Sequence, residues 1–266
     1  MEDILEKIVT EKKRRLMEQG EYPLFQRMEI MAQTTAQENR FLSALTASPG
    51  PNIIAEVKFA SPSRGRLLND LDLYRFIESY QQGGAAAISV VTEERYFLGK
   101  PKLVSRVRAK SSLPILRKDF VIEEAQIYQS AQLGADALLL IARILPRERL
   151  AHFVDLCSFL GLVPLVEVHD EADVEKAILA GAQVVGINNR DLASFKVSLE
   201  TTFHLSQLLP DNVIVVSESG IRRKEDISRI MERGICNFLI GECLLASAHP
   251  MNKLIELQGR EVLGVR

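Results

Sequence analysis

Five titratable side chains, Glu56, Lys58, Lys118, Glu167 and Glu218, sit at or near the C-terminal ends of short aliphatic runs, in IIAEVK, LPILRKDF, LVPLVEV and VIVVSESG. Ammonium and carboxylate groups drawn out of water at such positions suit proton transfer and the stabilisation of a developing oxyanion. Glu56 and Lys58 are two residues apart, so on a strand they share one face, where the carboxylate favours the ammonium form. An ion pair on an outer face is the alternative, but Ile53, Ile54, Ala55 and Val57 leave no solvated side for it. Lys118 could donate a proton or hold an anion, while Asp119 beside it faces elsewhere. For either residue a surface salt bridge is the ordinary alternative.

Glu167 follows the uncharged stretch 162–166, and partial desolvation there is expected to raise its pKa, as befits a general acid or base. Glu218 is placed similarly. Asn188 and Arg190 in GINNRD offer amide and guanidinium donors, although Arg190 next to Asp191 also fits a loop ion pair. Two glycine turns, 217–220 and 240–242, bring backbone N–H groups to the ends of two more runs, and glycine lets a backbone approach an anion closely. Ser61 and Ser63 in ASPSRG could add hydroxyl donors.

Residues spread over so much of the chain can act together only if the fold gathers them. Aliphatic runs at 53–58, 86–91, 114–117, 136–141, 162–167, 183–187, 212–217 and 236–240 read as eight strands. Between them lie amphipathic stretches such as 123–133, 146–160, 171–180 and 223–233, with apolar residues three and four apart. Gly84, Gly134, Gly161, Gly181 and Gly234 punctuate the change from helix to strand. The strands are nearly continuous aliphatic runs, the pattern of parallel strands buried on both faces. Eight such units predict an α/β protein, a single (β/α)8 TIM barrel spanning residues 51–266, whose strand C-termini converge on one mouth. An open doubly wound sheet fits the count less well. Residues 1–50 stand outside the repeat, with apolar stripes at Ile4, Leu5, Ile8 and Val9 and at Phe41, Leu42, Ala44 and Leu45. They are expected to form an N-terminal helical extension packed on the barrel.

Net charge is -2, with 33 basic residues interleaved among 35 acidic ones, so no nucleic-acid partner is expected. The densest basic cluster, Lys12 to Arg15, reads as a solvated helix face. No run is long enough for a membrane span, and the three cysteines, Cys157, Cys236 and Cys243, lack metal or redox spacing and fit a reducing cytoplasm. His152, His169, His204 and His249 have no paired ligand spacing and are each expected on a helix or loop surface. Neither metal nor cofactor is expected, and the expected partner class is a small phosphorylated molecule bound by a monomer or weak homo-oligomer.

The motifs IIAEVKFASPSRG, SVVTEERYFLG, LPILRKDF, GLVPLVEVHD, GINNRDL, SESGI and FLIGECLL, in that order, resemble the indole-3-glycerol-phosphate synthase family of tryptophan biosynthesis. That resemblance implies a cofactor-free, decarboxylating and dehydrating ring closure of 1-(2-carboxyphenylamino)-1-deoxyribulose 5-phosphate. It further implies that Lys118 is the general acid, that Lys58 steers the substrate carboxylate, and that Glu167 accepts or relays a proton. Glu56 and Glu218 would hold the lysines, and Asn188, Arg190, Ser61 and Phe120 would contact substrate. Phosphate would fall to Ser61, Ser219, Gly220, Gly241 and the N–H of Glu242. Cys243 and Phe59 depart from residues frequent in the family, away from that chemistry. Phosphoribosylanthranilate isomerase is the nearest enzymatic alternative, but it is expected to carry a cysteine base after the first strand, where this chain has Lys58. A non-catalytic barrel binding a phosphorylated metabolite would keep the glycine turns but has no need of the two lysines and Glu167.

Overall fold

A computed structural model describes residues 4–19, 39–47, 49–62, 64–69, 72–191 and 195–261. Eight parallel strands close into a barrel in sequential order. They are β1 (Asn52–Val57), β2 (Ala87–Val91), β3 (Ile115–Lys118), β4 (Ala137–Ile141), β5 (Val163–Val168), β6 (Val184–Asn188), β7 (Ile214–Glu218) and β8 (Asn237–Ile240). β8 returns to β1 with Asn52 opposite Asn237 and Ala55 opposite Ile240. The expected strands match within about two residues at each end, as hydrogen-bond assignments allow.

Among the described residues the α-helices are α1 (Ile4–Gln19), α2 (Arg40–Thr46), α3 (Asp72–Gln82), α4 (Leu103–Arg108), α5 (Glu124–Gln132), α6 (Arg147–Phe159), α7 (Glu171–Leu179), α8 (Glu200–Leu205), α9 (Lys224–Met231), α10 (Glu242–Leu245) and α11 (Pro250–Leu257). Helices from α3 onward cover the barrel through their apolar faces; α3 buries Leu73, Phe76, Ile77 and Tyr80, for example. Gly161 and Gly181 take φ of 73° and 74° after α6 and α7, a left-handed turn that glycine makes without a Cβ penalty. A two-residue antiparallel ribbon, Ala60–Ser61 with Gly65–Arg66, follows β1 and had no counterpart in the sequence pattern.

Within the barrel, Ile54, Leu116, Leu165, Val184, Val216 and Leu239 form one packed cluster. Side chains two residues further along a strand point the same way. From this layer that step leads to Glu56, Lys118, Glu167, Gly186, Glu218 and Gly241. On five of these six strands the apolar interior thus ends in a group singled out above, and on the sixth it ends at Gly186.

The N-terminal extension engages both ends of the barrel. α2 plugs the bottom, with Phe41 and Leu45 in the interior cluster and Asn52 Nδ2 donating to Leu45 O at 3.0 Å. α1 lies at the mouth end, where Lys12 meets Asp119 at 2.7 Å, Arg15 meets Glu94 at 2.9 Å, and Glu11 meets Arg95 at 2.9 Å. The reading of Lys12 to Arg15 as a wholly solvated face is therefore corrected. Lys12 follows the buried Leu5 and Ile8 on one helical stripe and is itself 7% exposed, because Asp119 offers a buried carboxylate.

Candidate active site

The strand ends surround a cavity of about 940 Å³, its open mouth included. Its polar lining includes Glu56, Lys58, Lys118, Glu167, Asn188, Arg190, Glu218, Ser219, Gly220, Gly241 and Glu242, joined by an apolar wall containing Phe97, Phe120, Leu139 and Ile221. All the predicted site residues except Ser61 line it. Ser61 sits in the ribbon after β1, where its Oγ accepts the Arg64 amide at 3.2 Å. Ser63 lies outside the described residues.

Lys118 is the hub. Its Nζ donates to Glu167 Oε2 at 2.9 Å and to Glu218 Oε2 at 2.7 Å, while Lys58 Nζ donates to Glu56 Oε1 at 2.5 Å. Burial alone would favour neutral Lys118, but Glu167, Glu218 and Glu56 together raise its pKa, so it is an ammonium at neutral pH. Burial would likewise raise Glu56, yet Lys58 and then Lys118 hold it below the usual carboxylate value.

The expectation of a raised pKa at Glu167 is corrected, and the group that behaves so is Glu218. For Glu167, burial is outweighed by Lys118 and by His169, and the carboxyl is pulled well below its ordinary value. For Glu218, burial dominates the attraction of Lys118, the Glu167 charge adds repulsion, and the pKa rises to about 7. Within these five groups the Glu56 and Glu167 carboxylates already balance the two ammonium groups, so ionising the buried Glu218 would leave the cluster net negative. Glu218 Oε1 is also buried, with no hydrogen-bond partner among the described residues. Gly186 on the neighbouring strand makes room for it, since a Cβ there would collide with that oxygen.

The two glycine turns differ in how they create space. Ser219 and Gly220 both have positive φ, 65° and 82°, and for a serine this conformation stores roughly 1 kcal/mol or more of strain. Asn189 braces this turn, donating from Nδ2 to Ser219 O and to Ser217 Oγ, each at 3.1 Å. At Gly241 a Cβ would stand 2.5 Å from Glu56 Oε1, so only glycine leaves that carboxylate its place beside Lys58. Glu242, which opens α10, gathers three guanidinium groups: Arg64, Arg190 at 3.0 Å and Arg222 at 3.7 Å. Arg190 thus reaches across the mouth, and Asn188 Oδ1 accepts its backbone N–H at 3.0 Å.

Other residues of consequence were given no functional role from the sequence, although they lie within the quoted motifs. Glu93 accepts the amides of Arg95, Tyr96 and Phe97 at 2.7 to 2.9 Å, and so shapes the loop that places Phe97 6.3 Å from Phe120, ring centre to ring centre. Asp119 turns from Lys118 towards Arg117 and Lys12; burial opposes its charge, but those two cations lower its pKa to about 2. His169 corrects the expectation that every histidine is superficial: its side chain is 2% exposed, between Glu167 and Asp173. The other three are exposed.

The model of the family described as indole-3-glycerol phosphate synthase matches residues 5–257. The chain belongs to that family. It is 40% identical over 258 residues to an indole-3-glycerol phosphate synthase of Lachnoclostridium phytofermentans, covering 92% of this chain and 95% of that protein. It is 43% identical over 253 residues to one from Carboxydothermus hydrogenoformans, covering 92% and 96%. Solved structures place the barrel in wider company at the level of fold alone. A thiamine phosphate pyrophosphorylase from Pyrococcus furiosus superposes with a TM-score of 0.57 at 15% identity, covering 79% of this chain and 94% of that one. An N-acetylmannosamine-6-phosphate 2-epimerase from Clostridium perfringens gives 0.60 at 14%, covering 79% and 91%. As an indole-3-glycerol phosphate synthase family member, the chain has Lys58 directly after its first barrel strand, and its first cysteine, Cys157, is buried on α6 away from the cavity.

Proposed function

We propose that the chain closes the pyrrole ring of indole-3-glycerol phosphate from 1-(2-carboxyphenylamino)-1-deoxyribulose 5-phosphate, releasing carbon dioxide and water. The observation that carries this reading is the Lys118 ammonium held between Glu167 and Glu218 on the floor of a largely apolar cavity. The ring carbon that bears the carboxylate attacks the ketone, and the ketone oxygen becomes an alkoxide. Lys118 stabilises that charge and supplies the proton. An alkoxide is basic enough to take it even from an ammonium held by carboxylates, which also fix the donor in place.

Carbon dioxide then leaves, its bonding electrons restoring the aromatic ring. Lys58, 2.5 Å from Glu56, steers the departing carboxylate and assists loss of the hydroxyl as water. Glu167 is ionised and accepts the proton whose removal completes the indole. Phe97, Phe120 and the aliphatic wall exclude water and press the aniline ring towards the ketone. Asn188 and Arg190 bind the substrate.

The phosphate is assigned to Ser219, Gly220, Gly241 and the N–H of Glu242, with Ser61 approaching from the ribbon. Arg64, Arg190 and Arg222 make that side of the mouth cationic, in support of an anion there. The three free cysteines accord with a reducing cytoplasm. The test is direct: purified protein mixed with the anilino-ribulose phosphate is expected to generate indole fluorescence at a rate proportional to enzyme. Substrate that persists unchanged would remove the assignment.

A further inference from the structure

Glu167 has two oxygens with different neighbours. Oε2 accepts from Lys118 at 2.9 Å, and Oε1 faces His169 Nε2 at 3.2 Å. His169 is two residues beyond Glu167 and leaves the chain on the same side. Behind its ring stands Asp173 in the first turn of α7, with Oδ2 3.7 Å from Nδ1. That carboxylate is itself fixed. It accepts the His169 backbone N–H at 3.2 Å, Arg143 from the turn after β4 lies 3.4 Å away, and Lys176 lies 3.9 Å away.

Among the described residues neither ring nitrogen has an aligned hydrogen bond, so the ring is held by its position between two carboxylates. A neutral imidazole would turn a lone pair towards one of them, whereas an imidazolium puts a positive charge between the two. We propose that His169 is a positioning residue that, as an imidazolium, braces Glu167 from the side opposite Lys118 and keeps that carboxylate aimed at the reacting carbon. The role rests on Glu167 being the proton acceptor.

Burial lowers the pKa of His169, but Asp173 and Glu167 overcome this and raise it to about 9, against opposition from Arg143. On the other side Glu167 faces Lys118, with Glu218 and Glu56 beyond it. The sign of each pH effect follows. Removing the imidazolium takes away a cation that lowers the Glu167 pKa, so the acid limb of kcat moves to higher pH. Removing the Asp173 charge lowers the His169 pKa, so the alkaline limb moves to lower pH.

The test compares wild type, His169→Gln and Asp173→Asn in turnover across the pH profile, together with nitrogen-15 titration of the His169 ring by NMR. His169→Gln is expected to lower kcat by about 10- to 100-fold, below the usual range for a general acid or base, with KM changed less than about threefold and the acid limb displaced upward. A packing role alone would lower the melting temperature and leave the limbs in place. Wild-type kcat with an unmoved acid limb in His169→Gln overturns the proposal. If that variant does not fold, an unmoved alkaline limb in Asp173→Asn does so. The NMR readout needs no substrate: a His169 ring neutral at pH 7 overturns the brace even if turnover is normal, whereas a protonated ring with no wild-type turnover indicts the reaction instead.

Discussion

Lys118→Ala is expected to lower kcat by at least about 10³, because in the proposed reaction this one group supplies both the proton and the charge opposite the forming alkoxide. Affinity for indole-3-glycerol phosphate should change far less. The turns at Gly220 and Gly241 proposed for the phosphate follow β7 and β8, whereas Lys118 ends β3. The substitution also removes the cation shared by Glu167 and Glu218. Protonation of Glu218, already near neutrality, relieves part of that cost, so the variant should fold. Single-turnover fluorescence and calorimetric titration with product separate the two effects. Turnover within tenfold of wild type would remove Lys118 from the chemistry.

Glu167→Gln should come next in effect, with kcat reduced by about 10² to 10⁴. The amide keeps the shape of the side chain but can neither accept a proton nor titrate. Wild-type turnover should fall when acid protonates Glu167, whose pKa Lys118 and His169 have depressed; in the variant that limb disappears. Loss of the Glu167 charge also removes a repulsion that raises Glu218, so the Glu218 pKa should move down from about 7. Rate profiles of the two proteins test both consequences. An acid limb shared unchanged by wild type and variant would assign that ionisation elsewhere.

The barrel was legible because its strands are aliphatic runs cut off by polar residues, and a two-residue period carries each interior face upward to those residues. Lys118, Glu167 and Glu218 could be foreseen as neighbours once the strands were ordered. The sign of the Glu167 shift could not. Sequence reveals the apolar residues before it, which favour protonation, but not the ammonium and imidazolium that close on it from β3 and from its own strand end. His169 is a lone histidine without motif spacing, and only the α7 start that brings Asp173 behind it explains its burial.

The docking of α1 was hidden for a related reason. Lys12 and Asp119 are distant in the chain, and a helical Lys-Lys-Arg-Arg run is ordinarily solvated. Arg64 lies in ASPSRG and Arg222 just after SESGI, but their convergence on Glu242 exists only after the barrel closes. Gly186 lies inside a strand run, where its purpose emerges from the Glu218 carboxyl beside it.

The measurement that bears most directly on the whole account is a crystal structure with indole-3-glycerol phosphate bound. The phosphate is predicted on the backbone N–H groups of Gly220 and Glu242, the indole against Phe97 and Phe120, and the Lys118 ammonium within hydrogen-bond reach of the space the ketone oxygen vacates. Product seated with its indole away from Lys118 and Glu167, or its phosphate away from the two glycine turns, would contradict it.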